Sequence, residues 1–171
     1  MIVLLAGLPG TGKSTLAREL ATRTAGRIIS KDEIRHAIFS EDEIEYSIWQ
    51  DDLCLQIMLQ TARFLLDKKR ERIIFLDGRT FSRRYQIENV VAAIEAMHQP
   101  WKILECTCDD ETVKQRLELQ SLDGSHPAGN RDFELYREMK SHFQVITHRK
   151  TVIDTAQPLE TCVQQGLAAL E

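Results

Sequence analysis

The sequence predicts an α/β domain built on a parallel sheet with helices on both faces. Three observations carry this. Strand-like apolar runs alternate with segments of helical period along all 171 residues. Residues 1–6 (MIVLLA) are apolar at every position, the pattern of a strand covered on both faces. That run leads directly into Gly7-Leu8-Pro9-Gly10-Thr11-Gly12-Lys13-Ser14-Thr15, which fits G-x-x-x-x-G-K-S, the phosphate-binding P-loop.

The elements follow in order. Residues 13–24 continue the loop as a helix, with Leu16 and Leu20 one turn apart. Arg27-Ile28-Ile29-Ser30 is a short second strand, and Asp32 stands where it could cap the helix that follows. Residues 43–69 read as one long helix, since Ile44, Ile48, Leu55, Met58, Leu59, Ala62, Leu65 and Leu66 recur at helical period. Residues 72–76 (RIIFL) are a buried third strand ending at Asp77-Gly78. Residues 82–97 are helical, 101–107 (WKILECT) a fourth strand and 109–121 a helix carrying Arg116. A Gly/Pro-rich loop spans 122–130, with Gly124, Pro127 and Gly129 as its flexible or turning points and His126 incidental. Residues 132–146 are helical, 151–154 (TVID) the last strand and 158–170 the last helix. Strands separated by helices imply right-handed crossovers. The whole chain, 1–171, reads as one domain, with no repeat or linker.

Composition excludes several classes. A net charge of −4 gives no general pull toward nucleic acid or anionic membrane. No apolar run approaches the ~18 residues of a membrane helix. The chain starts as a strand, without the basic start of a signal peptide. Cys54, Cys106, Cys108 and Cys162 form no C-x-x-C pair and read as free thiols of a reducing cytosol, with Cys106 and Cys108 on one face of their strand. The expectation is a cytoplasmic protein, monomeric or homodimeric, without a membrane partner.

The P-loop has a mechanism. Its glycines permit turns that a Cβ would block. Its N–H groups can wrap an anion while the following helix points its positive end at the same place. Lys13 would reach the β- and γ-phosphates, and the Ser14 hydroxyl would ligate Mg²⁺. In open parallel sheets, ligands sit beyond the carboxyl ends of the strands. That selects residues 7–15, 30–35, 77–84, 107–110 and 155–157 as candidates.

On these residues the chain resembles the small P-loop kinases, including predicted kinases of the AAA_33 type. Adenylate, shikimate and gluconate kinases and the kinase domain of polynucleotide 5′-kinase belong to this group. The resemblance rests on the P-loop, Ser30-Lys31-Asp32-Glu33-Ile34-Arg35, Leu76-Asp77-Gly78-Arg79 and Asp154-Thr155-Ala156-Gln157. It implies a three-layer P-loop NTPase fold, five parallel strands in the order 2-3-1-4-5, and a lid at about 116–131. It implies ATP as donor, although no residue pattern separates ATP from GTP. Asp32 matches the general base that accepts the acceptor hydroxyl's proton, a role compatible with capping its helix. Arg35, three residues on, matches an arginine that holds the acceptor's phosphate in polynucleotide kinases; a solvated surface arginine is the other reading.

Asp77 resembles the second acidic position of P-loop enzymes, which supports Mg²⁺ through water, or else it forms a strand-end turn with Gly78. Arg79 is a candidate acceptor contact, since its fork suits phosphate or carboxylate; Arg83 and Arg84 read as solvated. Arg116 is implied to reach over the donor phosphates from the lid. Relatives carry a second arginine one turn later, where this chain has Gln120, and Arg131 could substitute. Thr155, Ala156 and Gln157 should border the adenine. The acceptor pocket is expected between residues 32–39, the long helix and Asp77–Arg79, with His36, Tyr46, Trp49 and Gln50 as lining. Tyr46 and Trp49 could stack on a sugar or base, or pack into the core, the favoured reading.

The expected function is transfer of a γ-phosphate from ATP, with Mg²⁺, to a hydroxyl of an unidentified small molecule. A polynucleotide 5′-hydroxyl kinase is the nearest alternative, disfavoured by the acidic balance. A nucleotide-dependent regulatory ATPase is the third.

Overall fold

The computed structural model describes residues 1–123 and 132–171. Five strands, β1 (Ile2–Ala6), β2 (Arg27–Ser30), β3 (Ile74–Asp77), β4 (Trp101–Thr107) and β5 (Thr151–Asp154), form one parallel sheet in the order β2-β3-β1-β4-β5. The helices are α1 (Lys13–Thr24), α2 (Lys31–Ile38), α3 (Ile48–Lys68), α4 (Arg84–Ala96), α5 (Asp110–Asp123), α6 (Phe133–Ser141) and α7 (Leu159–Leu170). The expected strand order is therefore the observed one. No helix among the described residues is long and apolar enough to cross a membrane.

The apolar run at the start of the chain is explained by the layers on either side of it. Side chains alternate across a strand. Ile2, Leu4 and Ala6 join a core with Leu55, Met58, Ala62 and Leu66 of α3 and Ile87, Val90 and Ile94 of α4. Val3 and Leu5 join a second core with Leu16, Ala17 and Leu20 of α1 and Cys162 and Val163 of α7. All five residues of β1 have no exposed surface, so both faces of the strand must be apolar. Gly166 lets α7 approach α1 closely: a Cβ there would lie 2.9 Å from a methyl of Leu20.

The expected 43–69 helix is shorter. A 3₁₀ turn occupies Glu41–Glu43 and α3 begins at Ile48. The Ser47 hydroxyl accepts from the Gln50 N–H at 3.2 Å and caps α3, while Tyr46 sits at φ 49°, outside the helical region. Tyr46 and Trp49 therefore do not share a helical turn. Ser30, not Asp32, caps α2, its hydroxyl accepting from the Glu33 N–H at 3.3 Å. The helix expected over 132–146 ends at Ser141, and that over 109–121 runs to Asp123. Cys106 is in the core, whereas Cys108, past the end of β4, is only half-buried. Arg131, His126 and the glycines and proline of the expected lid lie outside the described residues.

Leu4→Ala, at the centre of β1, should cost about 2–5 kcal/mol of stability, read as a lowered urea midpoint with an unchanged slope. Val152→Ala, on the half-exposed edge strand β5, should stay within about 0.5 kcal/mol.

Candidate active site at the carboxyl ends of the strands

Gly7, Gly10 and Gly12 all have positive φ, at 133°, 75° and 77°. At Gly7 the requirement is absolute, because a Cβ would lie 2.3 Å from the Cys106 carbonyl oxygen. Gly12 stands at the N-cap of α1, which no side chain caps. That leaves the helix start open to an oxyanion. Pro9 is buried in the loop, Thr15 exposed beyond it and Ser14 half-buried in the first turn of α1. Thr11 Oγ1 and Lys13 Nζ each donate to the Leu8 carbonyl at 2.7 Å, so Lys13 is folded back onto the loop. A cavity of about 290 Å³ opens beside the loop, lined by Gly7, Leu8, Thr11, the end of β4 and Tyr136, Lys140 and Phe143. Burial pushes the Cys106 thiol in its wall up to about 12, so that sulfur stays protonated.

Asp77 ends β3 beside Ser30 of β2 and is 5% exposed. Its Oδ1 is buried without a hydrogen-bond partner. An unsatisfied buried carboxylate oxygen is costly, and a cation relieves it. Among the described residues no cluster of three or more His, Cys, Asp or Glu could hold a metal alone. The Asp77 carboxylate and the Ser14 hydroxyl are the oxygens that could hold Mg²⁺, an ion that takes one or two protein oxygens together with substrate phosphates.

At the ends of β2 and β3 lies a network of charge whose cations are buried. Arg35 has no exposed surface. Its Nη1 donates to Asp32 Oδ1 at 3.2 Å and its Nη2 to Asp51 Oδ1. Lys31 Nζ donates to Asp51 at 2.6 Å and lies 3.6 Å from Asp32. Arg79 Nη2 donates to Asp52 Oδ1 at 2.7 Å. The Tyr46 ring covers Arg35, with Cζ 4.9 Å from its centroid. Arg35 is thus a buried partner of Asp32, not a solvated arginine.

Trp49 is 65% exposed and touches Phe39, so it does not pack into the core. Gln50 is spent on the chain before α3, donating to the Glu43 carbonyl at 2.7 Å. His36, Arg83 and Arg84 are exposed.

Arg116 projects from α5 onto the turn after β5. It donates to the Thr155 carbonyl at 2.7 Å and the Thr155 hydroxyl at 3.1 Å. Its Nη1 sits 3.5 Å from where a Gly12 Cβ would be, placing its charge at the edge of the P-loop. The Thr155 hydroxyl is within 3.0 Å of the Thr11 carbonyl, which joins this turn to the loop; Ala156 and Gln157 are exposed beyond it.

Sequence reasoning placed Lys31 among the candidates without giving it a role, and missed Asp51 and Asp52. Adjacent acids near the start of α3 were a signal, because a buried arginine such as Arg35 requires carboxylate partners.

A family profile described as an AAA domain matches residues 2–146. The chain belongs to this AAA_33 family. Among curated protein sequences, none matches the chain. Several solved structures share the fold. A candidate kinase from Chloroflexus aurantiacus has a TM-score of 0.76 at 18% identity, over 99% of this chain and 98% of that one. The Mycobacterium tuberculosis APS kinase CysC, in complex with AMPPNP and APS, has 0.73 at 14%, over 99% and 96%. Chaetomium thermophilum Kti12, in complex with ADP-AlF3, has 0.71 at 11%, over 100% of each chain. The fold is that of the small P-loop kinases.

Arg35→Ala removes the fully buried cation shared by Asp32 and Asp51 and should destabilise the domain by about 3–5 kcal/mol. Urea unfolding should show a clearly smaller loss for Arg35→Lys.

Proposed function

We propose that this protein is an ATP- and Mg²⁺-dependent phosphotransferase that moves a γ-phosphate to a hydroxyl of a small-molecule acceptor. The observation that carries this reading is the Asp32 carboxylate. It is 3% exposed, just past the carboxyl end of β2, and fixed by Lys31 and Arg35. Gly78, following Asp77, packs directly against Lys31 and Asp32: a Cβ there would lie 3.0 Å from Lys31 Cβ. The base candidate and the metal-site candidate therefore share one edge.

In this reading the P-loop backbone, Lys13 and the α1 N-terminus bind the donor phosphates. Asp32 accepts the hydroxyl proton as the acceptor oxygen attacks. Arg116, at the loop's edge, adds positive charge beside the donor. Mg²⁺, held by Ser14 and supported by Asp77, would neutralise charge on the transferring phosphoryl group. Such transfer depends on positioning and charge stabilisation more than on covalent chemistry. Arg131 is retained as a second lid cation, and Thr155, Ala156 and Gln157 as the adenine border. Similarity to an APS kinase bound to AMPPNP and APS supports the class.

A regulatory ATPase is the second reading, favoured by similarity to Kti12 bound to ADP-AlF3. Labelled ATP with a panel of sugars, nucleosides, amino alcohols and a 5′-hydroxyl oligonucleotide separates the two. Transfer to an acceptor supports the kinase. Acceptor-independent hydrolysis, with transfer to none, supports the ATPase.

Lys13→Ala should reduce transfer to near background while the fold survives; wild-type turnover would exclude the P-loop assignment. Asp32→Asn should lower kcat by about 10²–10⁴ with nucleotide affinity nearly unchanged. EDTA should abolish transfer and added Mg²⁺ restore it.

A further inference from the structure

The acceptor's chemical class can be read from Arg79, on the basis of the phosphotransferase reading above. Arg79 is 3% exposed. Only Nη2 has a hydrogen-bond partner among the described residues, Asp52, while Nε and Nη1 are buried without one. Unmet charged donors away from water are costly, so their retention needs a ligand to explain it. The neighbouring cations are committed differently. Lys31 is tied to Asp51 and Asp32. Arg35 also leaves its buried Nε without a hydrogen-bond partner among the described residues, but both its terminal nitrogens are engaged by Asp32 and Asp51 and it is fully enclosed beneath Tyr46.

The two partners in the Arg79 pair are unequal. The arginine side chain is 3% exposed and the Asp52 side chain 48% exposed. The arginine is rooted, and its counter-ion stands at the solvent boundary on α3. Gly78, with φ 95° and its close packing on Lys31, sets Arg79 beside the first turn of α2, which carries Asp32. An anion exchanged for Asp52 on this guanidinium would be anchored next to the base candidate.

We propose that Asp52 is a built-in stand-in for an anionic group of the acceptor. The acceptor carries a carboxylate, phosphate or sulfate as well as its reacting hydroxyl. On binding, that oxyanion displaces Asp52 and takes a two-pronged hydrogen bond from Arg79, which presents the hydroxyl to Asp32. No bond is made or broken in this exchange. A neutral alcohol cannot replace the charge of Asp52, so the pair also discriminates against uncharged acceptors.

The test is calorimetric titration of sodium sulfate, at constant ionic strength, into protein saturated with Mg·ADP so that the P-loop is filled. Asp52→Asn should bind sulfate about 10–100-fold more tightly than wild type, the worth of a hydrogen bond to a charged group. Arg79→Gln should lose that binding, and Arg79→Lys, which keeps a charge without the fork, should weaken it. Equal affinity in wild type and Asp52→Asn, sulfate heat that survives Arg79→Gln, or no sulfate heat in Asp52→Asn would overturn the proposal. ADP binding by each variant verifies its fold; failure of wild type to bind ADP would instead remove the phosphotransferase reading.

Paired acceptors identify the anion. Transfer should favour gluconate over glucitol, or a nucleoside 3′-monophosphate over its nucleoside, by at least about tenfold in kcat/KM. Preference for the neutral member would overturn the proposal, and where neither member of a pair is used the sulfate titration decides.

Discussion

Everything at the candidate site hangs on the double-sided burial of β1. It is the central strand, paired in parallel with β3 and β4, and its five residues divide between two cores. The sheet holds it so firmly that the chain leaving its end has almost no positional freedom. Gly7 emerges with its backbone against the Cys106 carbonyl and its N–H donating to Thr80, 3.3 Å away. The phosphate loop is thus clamped between the ends of β3 and β4 before any nucleotide arrives. Preorganised donors of this kind need little rearrangement when charge develops against them.

The ends of β2 and β3 are organised by charge rather than apolar packing. Asp51 and Asp52 are consecutive residues of α3 but serve different segments. Asp51 ties down Lys31 and Arg35 on α2, and Asp52 meets Arg79 after β3. One helix start thereby sets the spacing of two strand-end segments. Buried ion pairs of this type seldom add much net stability, because desolvation offsets their attraction. Their value here is geometric: the segments that carry Asp32 and Arg79 are held together, with Gly78 packed on Lys31 and Asp32.

The nucleotide side uses smaller devices. The Thr155 hydroxyl joins the β5–α7 turn to the P-loop through the Thr11 carbonyl, and Arg116 is anchored on that same threonine. A charge from α5 is carried to the edge of the loop. Asp77 Oδ1 is the complementary feature, an acidic oxygen left unmet where a cation would satisfy it.

The sequence by itself determined the strand–helix alternation, the central strand, the phosphate loop and the membership of Asp32, Arg35, Asp77 and Arg79 in one edge of the sheet. These are written locally, in consecutive apolar residues, in glycines that tolerate positive φ and in chemistry placed at strand ends. Only the tertiary structure decided which charge meets which. Arg35 as a buried partner of Asp32, Arg116 on Thr155, and Asp51 and Asp52 as counter-ions depend on contacts across 3 to 39 residues of chain. The α3 boundary was misread because Ile44 continues the helical period, while the capping hydroxyl of Ser47 and the positive φ of Tyr46 end it. Periodicity records which face is apolar. Pairing of buried charges depends on where separate segments meet, and that is settled only when the sheet and its helices are packed.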